Sequence, residues 1–291
     1  MVAPFPIVDA HQHFWDPRTN YHPWLRDQPP VPFRYGDYAA LRRPYLPADY
    51  FADAGVHQVR TTVYVETEWN PRDPLGEMRY VEKLRHETGF PTVAVAQAWL
   101  DREDLAATRA GLAQFDFVRG IRHKPRAGQM TDQRWRSGFE QLTRQRLRFD
   151  LQAPWTQLDE AARLARDFPD ARIILNHTGL PADRSRKGLA GWTNALKALA
   201  ACPNTAIKVS GLGVPGQAWT AQSNREIVLA AIDIFGRGRA MFASNFPVDG
   251  LCASFDAIVA GMREILRDFR AGEQRAFFHD NAIRIYDMEK I

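Results

Sequence analysis

Two histidines one residue apart, His11 and His13, follow the apolar run Ile7-Val8-Asp9-Ala10. Side chains of a strand alternate faces, so both imidazoles leave the same side at the C-terminal end of that run. A pair of this kind is two arms of a metal site, or acid–base groups acting on a polarised carbonyl. A lone His-x-His is equally readable as a turn-capping histidine beside a satisfied core one. The rest of the chain favours chemistry. Ala171 to Leu175 runs straight into Asn176-His177, and Gly179 and Pro181 then turn the chain, so His177 is a third strand-end imidazole. Residues 117–124 end in Arg122-His123-Lys124, where alternation puts Arg122 and Lys124 on one face and His123 on the other. Glu66 closes the β-branched run 58–66 as a candidate acid, base or supporting carboxylate, the alternative being a solvated loop group. Lys208 or Ser210 ends the run 205–211, and Asn245 and Asp249 lie at the end of 240–249.

These groups need a scaffold that brings strand ends together. Eight apolar runs, at 7–10, 58–66, 91–98, 117–124, 147–152, 171–176, 205–211 and 240–249, alternate with stretches of helical periodicity. The run 91–98 is nearly continuous in apolar residues, as a strand buried on both faces requires. Such alternation predicts a single (β/α)8 TIM barrel spanning residues 1–291, with its chemistry at the C-terminal rim. Helices are expected at 73–89, 104–114, 158–168, 191–201, 224–235, 255–269 and 273–288, besides one through Trp135 and Leu142. In the fifth strand either Asp150 or Gln152 points inward. Residues 17–47 form a long segment rich in proline and aromatic residues, and loops of this length in compact domains usually cover a site. Trp15 and Trp24 are read as its substrate-facing wall, the alternative being that they only pad the barrel mouth.

The chain has 291 residues, 45% hydrophobic and 25% charged, with a net charge of +4, which is ordinary for a globular protein with a sizeable core. The basic stretch 134–148 is interleaved with apolar residues at helical spacing, so no nucleic-acid-binding stripe is present. Two cysteines are too few for a disulfide framework. The N-terminus shows no secretory pattern, and no run is long enough to span a membrane. A cytoplasmic protein acting on a small molecule, without nucleic-acid or membrane partners and as a possible homo-oligomer, is the expectation. His22, His57, His86 and His279 are taken as structural or surface residues.

The segments Asp9-Ala10-His11-Gln12-His13-Phe14-Trp15-Asp16, Gly120-Ile121-Arg122-His123, Asn176-His177-Thr178-Gly179-Leu180-Pro181 and Ala243-Ser244-Asn245-Phe246-Pro247, in this order, resemble the amidohydrolase superfamily. More narrowly they are similar to its amidohydrolase-2 branch of sugar-lactone hydrolases, pyrone-dicarboxylate lactonase and related decarboxylases. The resemblance implies a distorted (β/α)8 barrel of amidohydrolase type whose hydrolytic centre is His11, His13, His177 and position 245. It implies a divalent metal such as zinc on the three histidines, although some lactonases of this branch are not strictly metal-dependent.

Position 245 departs from the family's acid, because Asn cannot act as a general base and is a weaker ligand than a carboxylate. Three arrangements stay open: Asp249 replaces the acid, Glu66 supplies it across the mouth, or the site works without a tightly bound metal. The expected activity is opening of an anionic or sugar-derived lactone, as in carbohydrate catabolism. His11, His13, His123, His177, Asn245 and Asp249 are the catalytic candidates, and Arg122, Glu66, Trp15, Trp24, Lys124 and Lys208 the substrate-binding ones. A metal-dependent decarboxylase or hydratase of a muconate-like acid is the rival within the family. A catalytically silent small-molecule-binding barrel is the rival outside it.

Overall fold

The computed structural model describes residues 5–288. Eight parallel strands follow one another in sequence order around one sheet: β1 (Ile7–Gln12), β2 (Val59–Val65), β3 (Val93–Gln97), β4 (Val118–His123), β5 (Arg148–Leu151), β6 (Ile173–Leu175), β7 (Thr205–Val209) and β8 (Ala240–Phe242). The expected (β/α)8 barrel is therefore present. Among the described residues one isolated bridge, Gln12 to Phe246, stands in for a ladder between β8 and β1. The seam is closed at the rim, where Asn245 N donates to His11 O at 2.7 Å and His13 N to Phe246 O at 2.9 Å. Lower down, buried Asp9 accepts from Ser244 N at 2.8 Å, Ser244 Oγ at 2.5 Å and Tyr50 Oη at 2.7 Å, a side-chain clasp in place of missing backbone pairs.

Helices α1 (Pro23–Arg26), α2 (Pro47–Ala54), α3 (Gly76–Thr88), α4 (Leu105–Leu112), α5 (Gln133–Arg144), α6 (Leu158–Asp167), α7 (Arg186–Ala200), α8 (Ala221–Phe235), α9 (Phe255–Ile265), α10 (Ala271–Arg275) and α11 (Asn281–Ile285) surround the sheet or follow it. The caps explain several boundaries. Asp132, Ser185, Thr220 and Ser254 each accept an amide three residues on, satisfying donors that the first helical turn leaves free. Ser185 thus starts α7 five residues before the expected 191. On α5, Trp135, Phe139 and Leu142 recur at helical spacing and are buried. The expected helix over 273–288 is interrupted, with a π-helical turn at Ala276–Asp280 between α10 and α11.

Two apolar layers result. Most buried side chains lie between sheet and helices. A smaller cluster that includes Val8, Ala10, Val63, Val65, Val93, Val95, Ile174, Ala206 and Met241 fills the barrel and packs against Ile285, Tyr286 and Met288 from the C-terminal segment. Because Val8 and Ala10 face inward, unbroken alternation would turn Gln12 inward and both histidines out. β1 avoids this with an irregularity: Asp9 pairs with Thr62 while Gln12 pairs with Tyr64, three steps against two. The extra residue is a β-bulge, which re-aims the strand end. Gln12 turns outward to donate to Thr62 Oγ1 at 3.2 Å, and His11 and His13 turn in. Among the described residues no helix is long and apolar enough to cross a membrane.

Candidate active site

The β1 imidazoles meet the β6 imidazole at the C-terminal rim. His11 and His13 lie 4.9 Å apart between ring centroids and His11 and His177 4.5 Å. All three are buried. Burial is the main cause that holds each well below the ordinary imidazole range, reinforced by Lys208 at His11, Arg122 at His13 and Arg34 at His177. They are neutral bases and potential ligands.

Each ring is held differently. His13 Nδ1 lies 2.7 Å from Val65 O; a carbonyl only accepts, so Nδ1 carries the proton and Nε2 presents a lone pair. His177 is tied at Nδ1 to Ser210 Oγ, 3.0 Å away, and turns its other edge to the pocket. Its backbone is left-handed, with φ of 52°, and Thr178 and Leu180 follow at 57° and 54°. Non-glycine residues avoid this region, so the turn stores strain. Thr178 Oγ1 donating to Ser210 O at 2.9 Å and Trp192 Nε1 donating to Thr178 O at 2.8 Å hold it in place. Both ring nitrogens of His11 are buried without a hydrogen-bond partner among the described residues.

Asn245 also sits in left-handed backbone, at φ 56°, which Asn tolerates better than most residues. Its Nδ2 donates to Asp249 Oδ1 at 2.6 Å, and its Oδ1 faces His13 Nε2 at 3.3 Å. Asp249 further accepts from Tyr35 Oη at 2.8 Å, Gly211 N at 2.9 Å and Arg34 Nη2 at 3.4 Å. As placed, this carboxylate lies behind Asn245 with its oxygens occupied. Glu66 is likewise committed: it pairs with the Arg122 guanidinium and accepts from Glu68 N at 2.7 Å.

Below the imidazoles Lys208 and Asp150 form an ion pair at 2.5 Å with neither side chain exposed, and Tyr286 Oη donates to Asp150 at 2.9 Å. Lys208 is thus a barrel-interior group outside the lining of the cavity at the rim. His123 is placed outside as well. Its Nδ1 accepts from Trp135 Nε1 at 3.1 Å and Leu100 N at 3.3 Å, so it ties β4 to α5 and leaves Arg122 and Lys124 on the pocket side.

The cavity above the histidines measures 320 Å³ and is lined by His13, His177 and Asn245 at its floor, Trp15, Trp24 and Phe33 from the long segment, and Arg34, Arg122, Lys124, Glu68 and Gln152. A wider groove of 850 Å³ lies at the opposite end of the barrel among Arg146, Arg148 and Arg172 and contains no imidazole. Trp24 stacks on Phe33 at 5.8 Å and 6°, meets Trp15 edge-on at 5.5 Å, and donates Nε1 to Thr67 O at 2.8 Å. The segment after β1 therefore is the pocket wall. Each cation at the mouth has a carboxylate partner: Arg122 with Glu66, Lys124 with Glu68, Arg34 with Asp249. Arg34 and Glu68 were not singled out in the sequence, since neither lies within a strand run.

The match to the family model described as Amidohydrolase covers residues 8–288. The chain belongs to the amidohydrolase family. This amidohydrolase is 40% identical over 299 residues to the protein y4mH of Sinorhizobium fredii, with 98% of this chain and 99% of that one covered. It is 28% identical to an L-fucono-1,5-lactonase of Burkholderia ambifaria, covering 97% and 96%. The crystal structure of an amidohydrolase from Burkholderia multivorans with bound zinc superposes with a TM-score of 0.82 at 26% identity, covering 97% and 99%.

A metal on His11, His13 and His177 was expected. Among the described residues no three His, Cys, Asp or Glu side chains are arranged to hold a metal ion, so the three imidazoles are clustered without forming a ready shell. The neutral His13 Nε2 and Asn245 Oδ1 point two lone pairs at each other across 3.3 Å, and the nitrogens of neighbouring His11 are unpartnered among the described residues. Converging acceptors of this kind suit a divalent cation, though a set without carboxylate binds it weakly.

Proposed function

We propose that this amidohydrolase opens a neutral, polyhydroxylated lactone ring by attack of water at the carbonyl carbon. The observation that supports the reading is a cluster of neutral imidazoles at the floor of an aromatic-walled pocket whose three cations are each already balanced by a carboxylate. Of the anionic and sugar-derived lactones expected from the sequence, charge balance favours the neutral sugar-derived one. It equally disfavours a muconate-like acid. Aromatic faces suit a sugar ring, and two relatives are named L-fucono-1,5-lactonase.

A lactone is an activated ester, so aligned water and a polarised carbonyl suffice. His177, oriented by Ser210, takes a proton from water as the water oxygen bonds to the carbonyl carbon. The ring carbon–oxygen bond then breaks, and the imidazolium returns the proton to the ring oxygen, leaving a hydroxy acid. His13 Nε2 and Asn245 Oδ1, both acceptors, orient the attacking water, and Trp15, Trp24 and Phe33 exclude bulk water. A divalent metal would be held by His11, His13 and Asn245 Oδ1, and when bound supplies Lewis-acid polarisation of the carbonyl.

The test is a panel of sugar 1,5-lactones, with 2-pyrone-4,6-dicarboxylate as the charged comparison, assayed with and without chelator while metal content is measured on the same sample. Opening of neutral sugar lactones is expected. If no lactone in the panel is opened, the reading fails.

A further inference from the structure

The pocket cations are not equivalent in what they have left to give. A guanidinium carries five N–H donors. Arg122, only 3% exposed, spends Nε and Nη2 on the Glu66 side chain and carbonyl and Nη1 on Gln152 Oε1 at 3.0 Å. It is a structural strut between β2, β4 and β5. Arg34 comes from the segment after β1, its side chain 26% exposed, and among the described residues the one polar contact of its guanidinium is the long 3.4 Å bond to Asp249. Otherwise it only lies over the Tyr35 ring, 4.6 Å from the centroid.

Its place is specified by Gly211. A Cβ on this glycine would stand 2.7 Å from the His177 Cβ and 3.3 Å from Arg34 Nη1, and the backbone there is left-handed at φ 68°. The space beside Gly211 is thus flanked by the His177 imidazole and the Arg34 guanidinium, and both line the substrate cavity. Asp249 keeps three hydrogen bonds without Arg34, from Tyr35, Asn245 and Gly211 at 2.6–2.9 Å. The guanidinium can turn while the Asp249 carboxylate stays hydrogen-bonded, giving up its nearest opposite charge for that of a bound anion.

We infer that Arg34 is the carboxylate clamp of this site: it binds the negative charge that hydrolysis creates on the lactone carbonyl, first as the oxyanion and then as the product carboxylate. This rests on the lactone reading above. The neutral substrate enters a balanced pocket, and the newly made anion competes with Asp249 for the one loosely held guanidinium. A bidentate Arg–carboxylate contact is the strongest pairing the pocket offers. The product is consequently held more tightly than a neutral ring of the same shape, and turnover is product-inhibited through Arg34.

The experiment titrates the full-length protein with L-fuconate and gluconate as acids and L-fucose as the neutral ring, for wild type, Arg34→Gln, Arg34→Lys and the exposed control Arg43→Gln. Arg34→Gln is expected to weaken binding of the acids by about tenfold or more and to leave L-fucose binding within about twofold. Arg34→Lys keeps the charge but loses the fork, and recovers only part. Arg43→Gln matches wild type. Should Arg34→Gln fail to fold, judged by thermal unfolding, Arg34→Lys carries the same comparison. Acid binding undiminished in the folded variants, or a wild type that binds the acids no better than L-fucose, overturns the assignment. A wild type that opens no lactone yet binds the acids through Arg34 sinks the hydrolase reading and retains the clamp.

Discussion

The Asn245 amide donates to Asp249 at 2.6 Å, and this bond turns the Asn245 carbonyl oxygen onto His13 Nε2. The family's acid position is thus split between an amide at the site and a carboxylate one step behind it. Asn245→Asp places a second carboxylate against Asp249 and beside two imidazoles, the donor set that zinc prefers. The variant is expected to retain more zinc per protein than wild type after dialysis against chelator, measured by elemental analysis. An equal ratio would show that position 245 does not set metal affinity.

His177 is the proton acceptor in the proposed reaction and sits in a strained turn that neighbouring side chains hold. Replacing it by Ala is expected to lower kcat by roughly 10² to 10⁴, the usual worth of a positioned base, with near-native circular dichroism. Normal lactone turnover by the folded variant would remove His177 from the mechanism.

Glu68 neutralises Lys124 at the mouth. Glu68→Gln leaves a net positive charge there and is expected to shift the ratio of kcat/KM values toward the dicarboxylated pyrone over neutral sugar lactones, by about tenfold or less since the pair is half-exposed. A panel assay reads the ratio directly.

Lys208 and Asp150 form a fully buried pair. Removing one partner strands the other charge, so Lys208→Met is expected to cost on the order of 3–5 kcal/mol, read from denaturant unfolding. A loss below about 1 kcal/mol would mean that Asp150 is carried by Tyr286 alone.

Buried Glu77 accepts from Tyr64 Oη and from the amide and hydroxyl of Thr67, the residue whose carbonyl anchors Trp24. Burial, aided by Glu66, pushes its carboxyl from 4.5 up to about 7. The folded state then binds the proton more tightly than the unfolded one, so this contribution to stability is present below the unfolded value and is lost as pH rises to about 7. Glu77→Gln cannot lose it. Its unfolding midpoint relative to wild type is expected to improve steadily from about pH 4.5 to about pH 7 and then level off.

Strand runs with two-residue alternation made the barrel and its rim readable, and at β4 they sorted Arg122 and Lys124 from His123 correctly by face. They could not say which face was inward, which is why His123 stood among the catalytic candidates. Nor does a strand position give depth: Lys208 lies only one residue before the end of β7, yet its ammonium drops into the barrel toward Asp150 and Tyr286. Arg34 and the occupied state of Asp249 depend on how an irregular segment folds back across the mouth, and no periodicity reports that.

The single surplus residue between Asp9 and Gln12 makes strand length, and not only side-chain identity, a determinant of this centre. Were β1 regular over these same residues, alternation from Val8 would leave His-x-His intact in the sequence yet present both rings to the surrounding helices. A relative with the same spacing but an unbroken strand would hold the motif and none of its chemistry.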